Sequence, residues 1–86
     1  MERITIDGVR ERAVNVNRRL EGSGRGVVVE QRNGHVALDE YRVTYGFSGQ
    51  STFDACLRTI TVGTKREVAE FLHAMMVGID LSRRAS

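Results

Sequence analysis

The stretch that most restricts the fold is Thr64-Lys65-Arg66-Glu67 and the apolar residues behind it. Thr64 and Glu67 stand three apart, the spacing at which each side chain can satisfy the other's backbone amide and close the first turn of a helix. Val68, Phe71, Leu72, Met75 and Ile79 then recur at intervals of three and four, which places them on one helical face. Gly63 ends the preceding segment, and Gly78 stands at a natural helix stop. The pattern predicts a capped amphipathic helix from Thr64 to Gly78, followed by a short polar tail ending Arg83-Arg84-Ala85-Ser86. Ala69, Ala74, Met75, Met76 and Val77 widen its apolar surface beyond one stripe. A short chain gains from burying such a surface against another subunit. Self-association through this last helix is therefore expected.

An amphipathic helix needs an apolar surface to lie on, and the upstream sequence supplies strands. Val27, Val28 and Val29 open a β-branched stretch. Asn33-Gly34 favours the positive φ angles of a tight hairpin turn. The returning strand runs through Val36, Leu38, Tyr41, Val43 and Tyr45; its alternation slips near Asp39-Glu40, which indicates a bulge there. Strands are expected over 27–32, 35–45 and 56–62, with Phe53 as the earliest start of the third. Gly46 to Thr52, rich in Gly and Ser, reads as a mobile ligand loop. Near the start, Ile6, Val9, Ala13, Val16 and Leu20 keep a helical period. They predict a helix over about 7–20, with Asp7 as N-cap or Thr5 as the alternative, ended by Gly22 in the left-handed conformation. With 86 residues there is room for one core. The expected fold is a single small α+β domain of order α-β-β-β-α, a three-stranded antiparallel sheet packed by two helices.

Composition excludes more than it assigns. Hydrophobic content of 41% and charged content of 28% describe a globular chain rather than a disordered one. The net charge of +2 comes from interspersed signs, without the basic stripe of a dedicated nucleic-acid binder. Twelve of the thirteen basic residues are arginine, Lys65 being the exception, and arginine suits planar, bidentate recognition of phosphate or carboxylate. A GC-rich coding sequence would produce the same bias. Cys56 is the single cysteine, so no internal disulfide is possible and a reducing compartment fits. The start, Met1-Glu2-Arg3, leads into no signal-like apolar run, and no stretch is long enough to span a bilayer. A cytoplasmic protein without a membrane partner is expected.

Candidate sites follow from residue type and spacing. The junction from Gly63 to Arg66 offers helix N-terminal amides with Lys65 and Arg66 beside them, a setting that favours an anion. Glu67 and Glu70 follow within a turn and oppose it. Tyr41, Tyr45, Phe47 and Phe53, interleaved with Arg42, could stack on a base or pack as core. For a phosphate-bearing ligand the expected set is Thr64, Lys65, Arg66, Arg42 and Tyr45. Arg12, Asn15 and Arg19, with Arg18 adjacent, form the polar face of the first helix and are the expected partner surface. His35 and His73 have no metal-ligand spacing, and neither forms a triad with Cys56 or the serines. No metal, cofactor or enzymatic activity is expected.

The closing stretch from Thr61-Val62-Gly63-Thr64-Lys65-Arg66-Glu67 through Phe71-Leu72-His73-Ala74-Met75-Met76 to Gly78-Ile79 resembles small uncharacterised bacteriophage and mobile-element accessory proteins. In these, a β-hairpin region leads to a final helix opening with a Lys-Arg-Glu-like triplet. The resemblance implies a binding protein of the bacterial host's cytoplasm that inhibits host antiviral defence, either by engaging a defence protein or by sequestering a signalling nucleotide. It supplies no catalytic residues. The element order is also similar to that of double-stranded-RNA-binding domains, with Lys65-Arg66 at the entry to the last helix and Gly34-His35 after the first strand. Glu67 and Glu70 depart from that pattern, as does the shortness of the Asn33-Gly34 turn. A nucleic-acid-binding module is the alternative this second likeness implies.

Overall fold

A computed structural model describes residues 3–85; Met1, Glu2 and Ser86, the outermost residues of the start and tail read above, lie outside them. Its elements are α1 (Ile6–Arg19), β1 (Arg25–Arg32), β2 (His35–Tyr45), β3 (Ser51–Gly63) and α2 (Lys65–Ala85). The three strands form one antiparallel sheet with β2 in the centre. The order α-β-β-β-α and the α+β class are those expected from the sequence.

Local chemistry explains most boundaries. Thr5 caps α1, its Oγ1 accepting the Gly8 N–H at 3.1 Å. Asp7, the first choice of cap from the sequence, instead lies inside the first turn, where its charge still suits the helix dipole. Gly22 adopts the expected left-handed conformation beyond the last turn, with φ of 86°. At the hairpin, Asn33 and Gly34 both have positive φ, 44° and 83°, as a two-residue turn requires. Thr64 and Glu67 form the predicted capping box. The Thr64 N–H donates to Glu67 Oε1 at 3.0 Å, and the Glu67 N–H donates to Thr64 Oγ1 at 3.1 Å.

Two boundaries depart furthest from expectation, while the others fall within two residues of it. β3 begins at Ser51 rather than in the range 53–56, because its pairing with β2 continues out to Tyr45. The register shifts at Leu38/Asp39, Glu40/Tyr41 and Arg42/Val43, and the skipped residues Ile60, Leu57 and Asp54 all belong to β3. A slip near Asp39-Glu40 therefore exists, but the extra residues lie across from it, and they erase the alternation that would have announced the start of β3. The second difference is α2, which runs through Gly78 to Ala85 instead of stopping there. A glycine inside a helix costs roughly 1 kcal/mol. Tertiary contacts beyond it offset that cost. Ile79 packs on the core, Arg19 Nε donates to Asp80 Oδ1 at 3.0 Å, and the Arg83 guanidinium donates to the Arg19 carbonyl.

The core lies between the helices and one face of the sheet. Val9, Ala13 and Val16 of α1 meet Val27 and Val29 of β1, Val36 and Leu38 of β2, and Val68, Ala69 and Leu72 of α2. On the opposite face Asp39 is the one buried charged residue among those described, at 1% exposure. Both of its oxygens are satisfied at 2.8 Å, one by the Arg32 guanidinium and one by the Thr59 hydroxyl, so the carboxylate ties all three strands together. Glu30 and Asp39 in turn hold the Arg32 guanidinium charged, its pKa raised above the ordinary value first by the hydrogen bond to Glu30 and then by the Asp39 charge. The outer edge of β1 is closed by α1. Asn17 Nδ2 donates to the Val27 carbonyl at 2.9 Å, and Asn17 Oδ1 accepts the Val27 N–H at 2.7 Å.

Candidate functional site

The sheet register separates the five residues expected to share a phosphate. Gly63, just before Thr64, pairs with Val36, whereas Tyr45 pairs with Ser51 at the other end of β2. Nine residue steps at about 3.3 Å each set these ends roughly 30 Å apart. Arg42 alternates with Val43, so it projects from the other face of β2 than Val43 and Tyr45 do. Thr64, Lys65 and Arg66 thus stay together at the start of α2, while Arg42 and Tyr45 lie elsewhere and on different faces.

At the start of α2 the anion-favouring position is occupied from within. The Glu67 carboxylate takes the Thr64 amide, and that hydrogen bond, with the Thr64 side chain and the nearby His35, holds its pKa below the ordinary glutamate value. A depressed folded pKa means that the box contributes fully above the unfolded glutamate range and is lost as pH falls through the lowered value. Thr64→Ala is expected to cost about 1 kcal/mol at neutral pH. It should also flatten the acid side of the stability profile, measured by urea titration at a series of pH values.

The expected partner surface is also divided. Arg19 is half-buried and committed to Asp80 and to the Asn15 carbonyl, so it anchors α2 to α1. Arg12 donates to the Gly8 carbonyl at 2.9 Å and lines a shallow cleft with Arg66, Glu70 and His73 between the two helices. Asn15 is half-buried. Arg18 alone turns towards the sheet.

There it meets Tyr45. A cleft of about 280 Å³ opens between the last turns of α1 and the end of the sheet. Val14 and Arg18 come from α1, Glu21 from the turn that follows it, Arg25 and Gly26 from β1, Val43 and Tyr45 from β2, and Ser51 and Phe53 from β3. Each position has a local cause. Gly26 has no side chain because Phe53 takes the space: a Cβ there would lie 2.6 Å from the Phe53 ring. Tyr41 meets the same ring edge-on at 6.2 Å between centroids. The Tyr45 hydroxyl accepts the Gly22 N–H at 2.8 Å, which fixes its position and leaves its own proton to donate. Arg25 is 3.7 Å from Glu40, a carboxylate that Arg58 also holds at 2.8 Å. The Arg18 side chain makes no ion pair or hydrogen bond within the described residues.

The cleft combines an aromatic ring, a phenol donor and two guanidinium groups against one carboxylate, Glu21. It can hold a flat, partly apolar molecule that carries negative charge. Tyr45 and Phe53 belong to one aromatic set expected from the sequence and Arg18 to another, whereas Arg25 and the steric role of Gly26 were not expected. The signal was present only as a small residue opposite aromatic ones, legible once the register is known. The loop expected at Gly46 to Thr52 is shorter, because Ser51 and Thr52 are already strand; Gly46 and Gln50 close it with a 2.9 Å backbone bond.

No family model, curated protein or solved structure matches the chain. Among the described residues no helix is long and apolar enough to cross a membrane, and no group of three His, Cys, Asp or Glu side chains could hold a metal ion.

Proposed function

We propose that the chain is a non-enzymatic binding module whose ligand is a nucleotide held in the cleft between α1 and the end of the sheet. The observation that carries this reading is the convergence of Arg18, Arg25, Tyr45 and Phe53 on one concavity. The phosphate would face the two guanidinium groups, and the base would lie against Phe53. The volume is at the small end for ligand clefts, which favours a single nucleotide over an oligomer. The resemblance to phage and mobile-element accessory proteins extends the reading: the ligand is a signalling nucleotide of host defence, which the module sequesters. A host defence protein docking on the same arginine-bearing surface is the protein-target form of the proposal.

A second reading, duplex RNA, draws on a different observation: Arg12, midway along α1, and Arg66, in the first turn of α2, line one cleft between the two helices. One calorimetric panel of cyclic nucleotides, linear nucleotides and duplex RNA separates the two. Nucleotide binding in the cleft should weaken about tenfold in Arg18→Ala, the usual scale for losing one charge-assisted contact. Tyr45→Phe should weaken it by a smaller factor. Binding of RNA alone, falling steeply with salt and lost in the Arg12→Ala/Arg66→Ala double variant, would favour the second reading. Absence of heat with every nucleotide overturns the first.

A further inference from the structure

Gly78 lies in the interior of α2 with nothing within 4 Å of where a Cβ would be, so no contact inside the fold calls for a glycine there. It belongs to a series on the solvent side of the helix. Phe71, Ala74, Gly78, Leu81 and Ala85 are spaced three, four, three and four residues apart, the spacing of a coiled-coil seam. Phe71 is 39% exposed and Leu81 57%, and Ala74, Gly78 and Ala85 are exposed as well. This seam is separate from the buried face of Val68, Ala69 and Leu72. Beside it runs a second series at intervals of seven, Glu70, Val77 and Arg84. Neither Glu70 nor Arg84 has an ion-pair partner among the described residues.

Phe71, Ala74, Gly78 and Leu81 are symmetric about position 76, and Glu70, Val77 and Arg84 about position 77, both near the middle of the helix. Laid antiparallel on a second copy, Phe71 falls opposite Leu81, Ala74 opposite Gly78, and Val77 opposite itself. Positions beside an antiparallel seam meet two residues out of step with its layers, so Glu70 lies beside the other copy's Arg84, twice. We infer that α2 is a self-association surface on which a second copy of this chain packs antiparallel along the Phe71–Ala85 seam. Its small central pair lets the helices approach closely, while Phe71 and Leu81 fill the ends. A parallel arrangement would leave one copy's Glu70 and the other's Arg84 on opposite sides of the seam with no charged partner, and would align the helix dipoles unfavourably. Gly78 then has a reason to be glycine, since the other helix takes the space a side chain would fill. The inference is independent of the nucleotide reading, because the seam shares no residue with that cleft.

Sedimentation of the full chain over roughly 5–200 µM should show a reversible monomer–dimer equilibrium. Glu70→Arg and Arg84→Glu should each raise the dissociation constant about tenfold, since each turns two attractive pairs into repulsive ones. The double variant Glu70→Arg/Arg84→Glu should restore it, a recovery that only the antiparallel register provides. In a Cys56→Ser/Val77→Cys chain, mild oxidation should yield a covalent dimer. All the changed side chains are exposed, so the far-UV circular dichroism of each variant is expected to match the parent. A chain that sediments as a monomer throughout, or charge reversals that do not restore each other, would overturn the inference.

Discussion

Leu38→Ala is expected to lower stability by about 3–4 kcal/mol, the range for emptying a fully buried leucine site. Leu38 is 0% exposed and sits on the central strand, paired with Val29 on one side and Thr61 on the other. Its side chain faces the buried valines of α1, β1 and α2. The surroundings cannot easily collapse into the cavity, because β2 is held on both edges. For a chain of this length total stability is of order 4–13 kcal/mol, so the loss is a large fraction of it. The apparent midpoint should drop by more than about 10 °C in thermal denaturation followed by circular dichroism. Leu38→Met keeps the volume and should cost under about 1.5 kcal/mol. Val62→Ala, on an exposed side chain of β3, should change little. A small effect at Leu38 would mean that the core is not organised around β2 as described.

How much of this fold could be read from the sequence depended on how local each determinant is. The capping box at Thr64 and Glu67 and the Asn33-Gly34 turn involve residues at most three apart, and both form as expected. The end of α2 is set instead by contacts spanning more than sixty residues, from Arg19 to Asp80 and Arg83, and these override the local tendency of Gly78. β3 is misjudged for a related reason. Its three skipped residues make sense only against β2, and the period of two is lost when β3 is read alone. The candidate site follows the same rule. Lys65 and Arg66 are visible as charges at a helix start, yet the internal Glu67 carboxylate already takes the Thr64 amide there. Arg18 and Tyr45 stand twenty-seven positions apart and meet because the chain turns at Gly22, whose N–H donates to the tyrosine hydroxyl. No spacing within the sequence encodes that meeting.

Asn17 is a second determinant of this non-local kind, and its removal should have an effect close to that at Leu38. β1 is an edge strand, and edge strands expose backbone groups that must be covered or satisfied by water. At Val27, buried beneath α1, water is not a substitute. The Asn17 amide instead completes both backbone bonds, donating to the carbonyl and accepting the N–H, much as another strand would. Asn17→Ala leaves a donor and an acceptor unpaired at that point, each costing about 1–3 kcal/mol when buried. The expected loss is about 2–4 kcal/mol. Asn17→Asp discriminates between lost bonds and lost packing: its carboxylate still accepts the Val27 N–H but has no donor for the carbonyl. It should therefore fall between the parent and alanine if hydrogen bonding dominates, despite nearly identical size. Amide hydrogen exchange gives the site-resolved check. The Val27 N–H should lose protection in Asn17→Ala by more than the global destabilisation explains, whereas the Leu38 N–H should follow the global change alone. Equal protection of Val27 in parent and variant would show that α1 shields the edge by covering it, and that the amide is not what holds the helix against the strand.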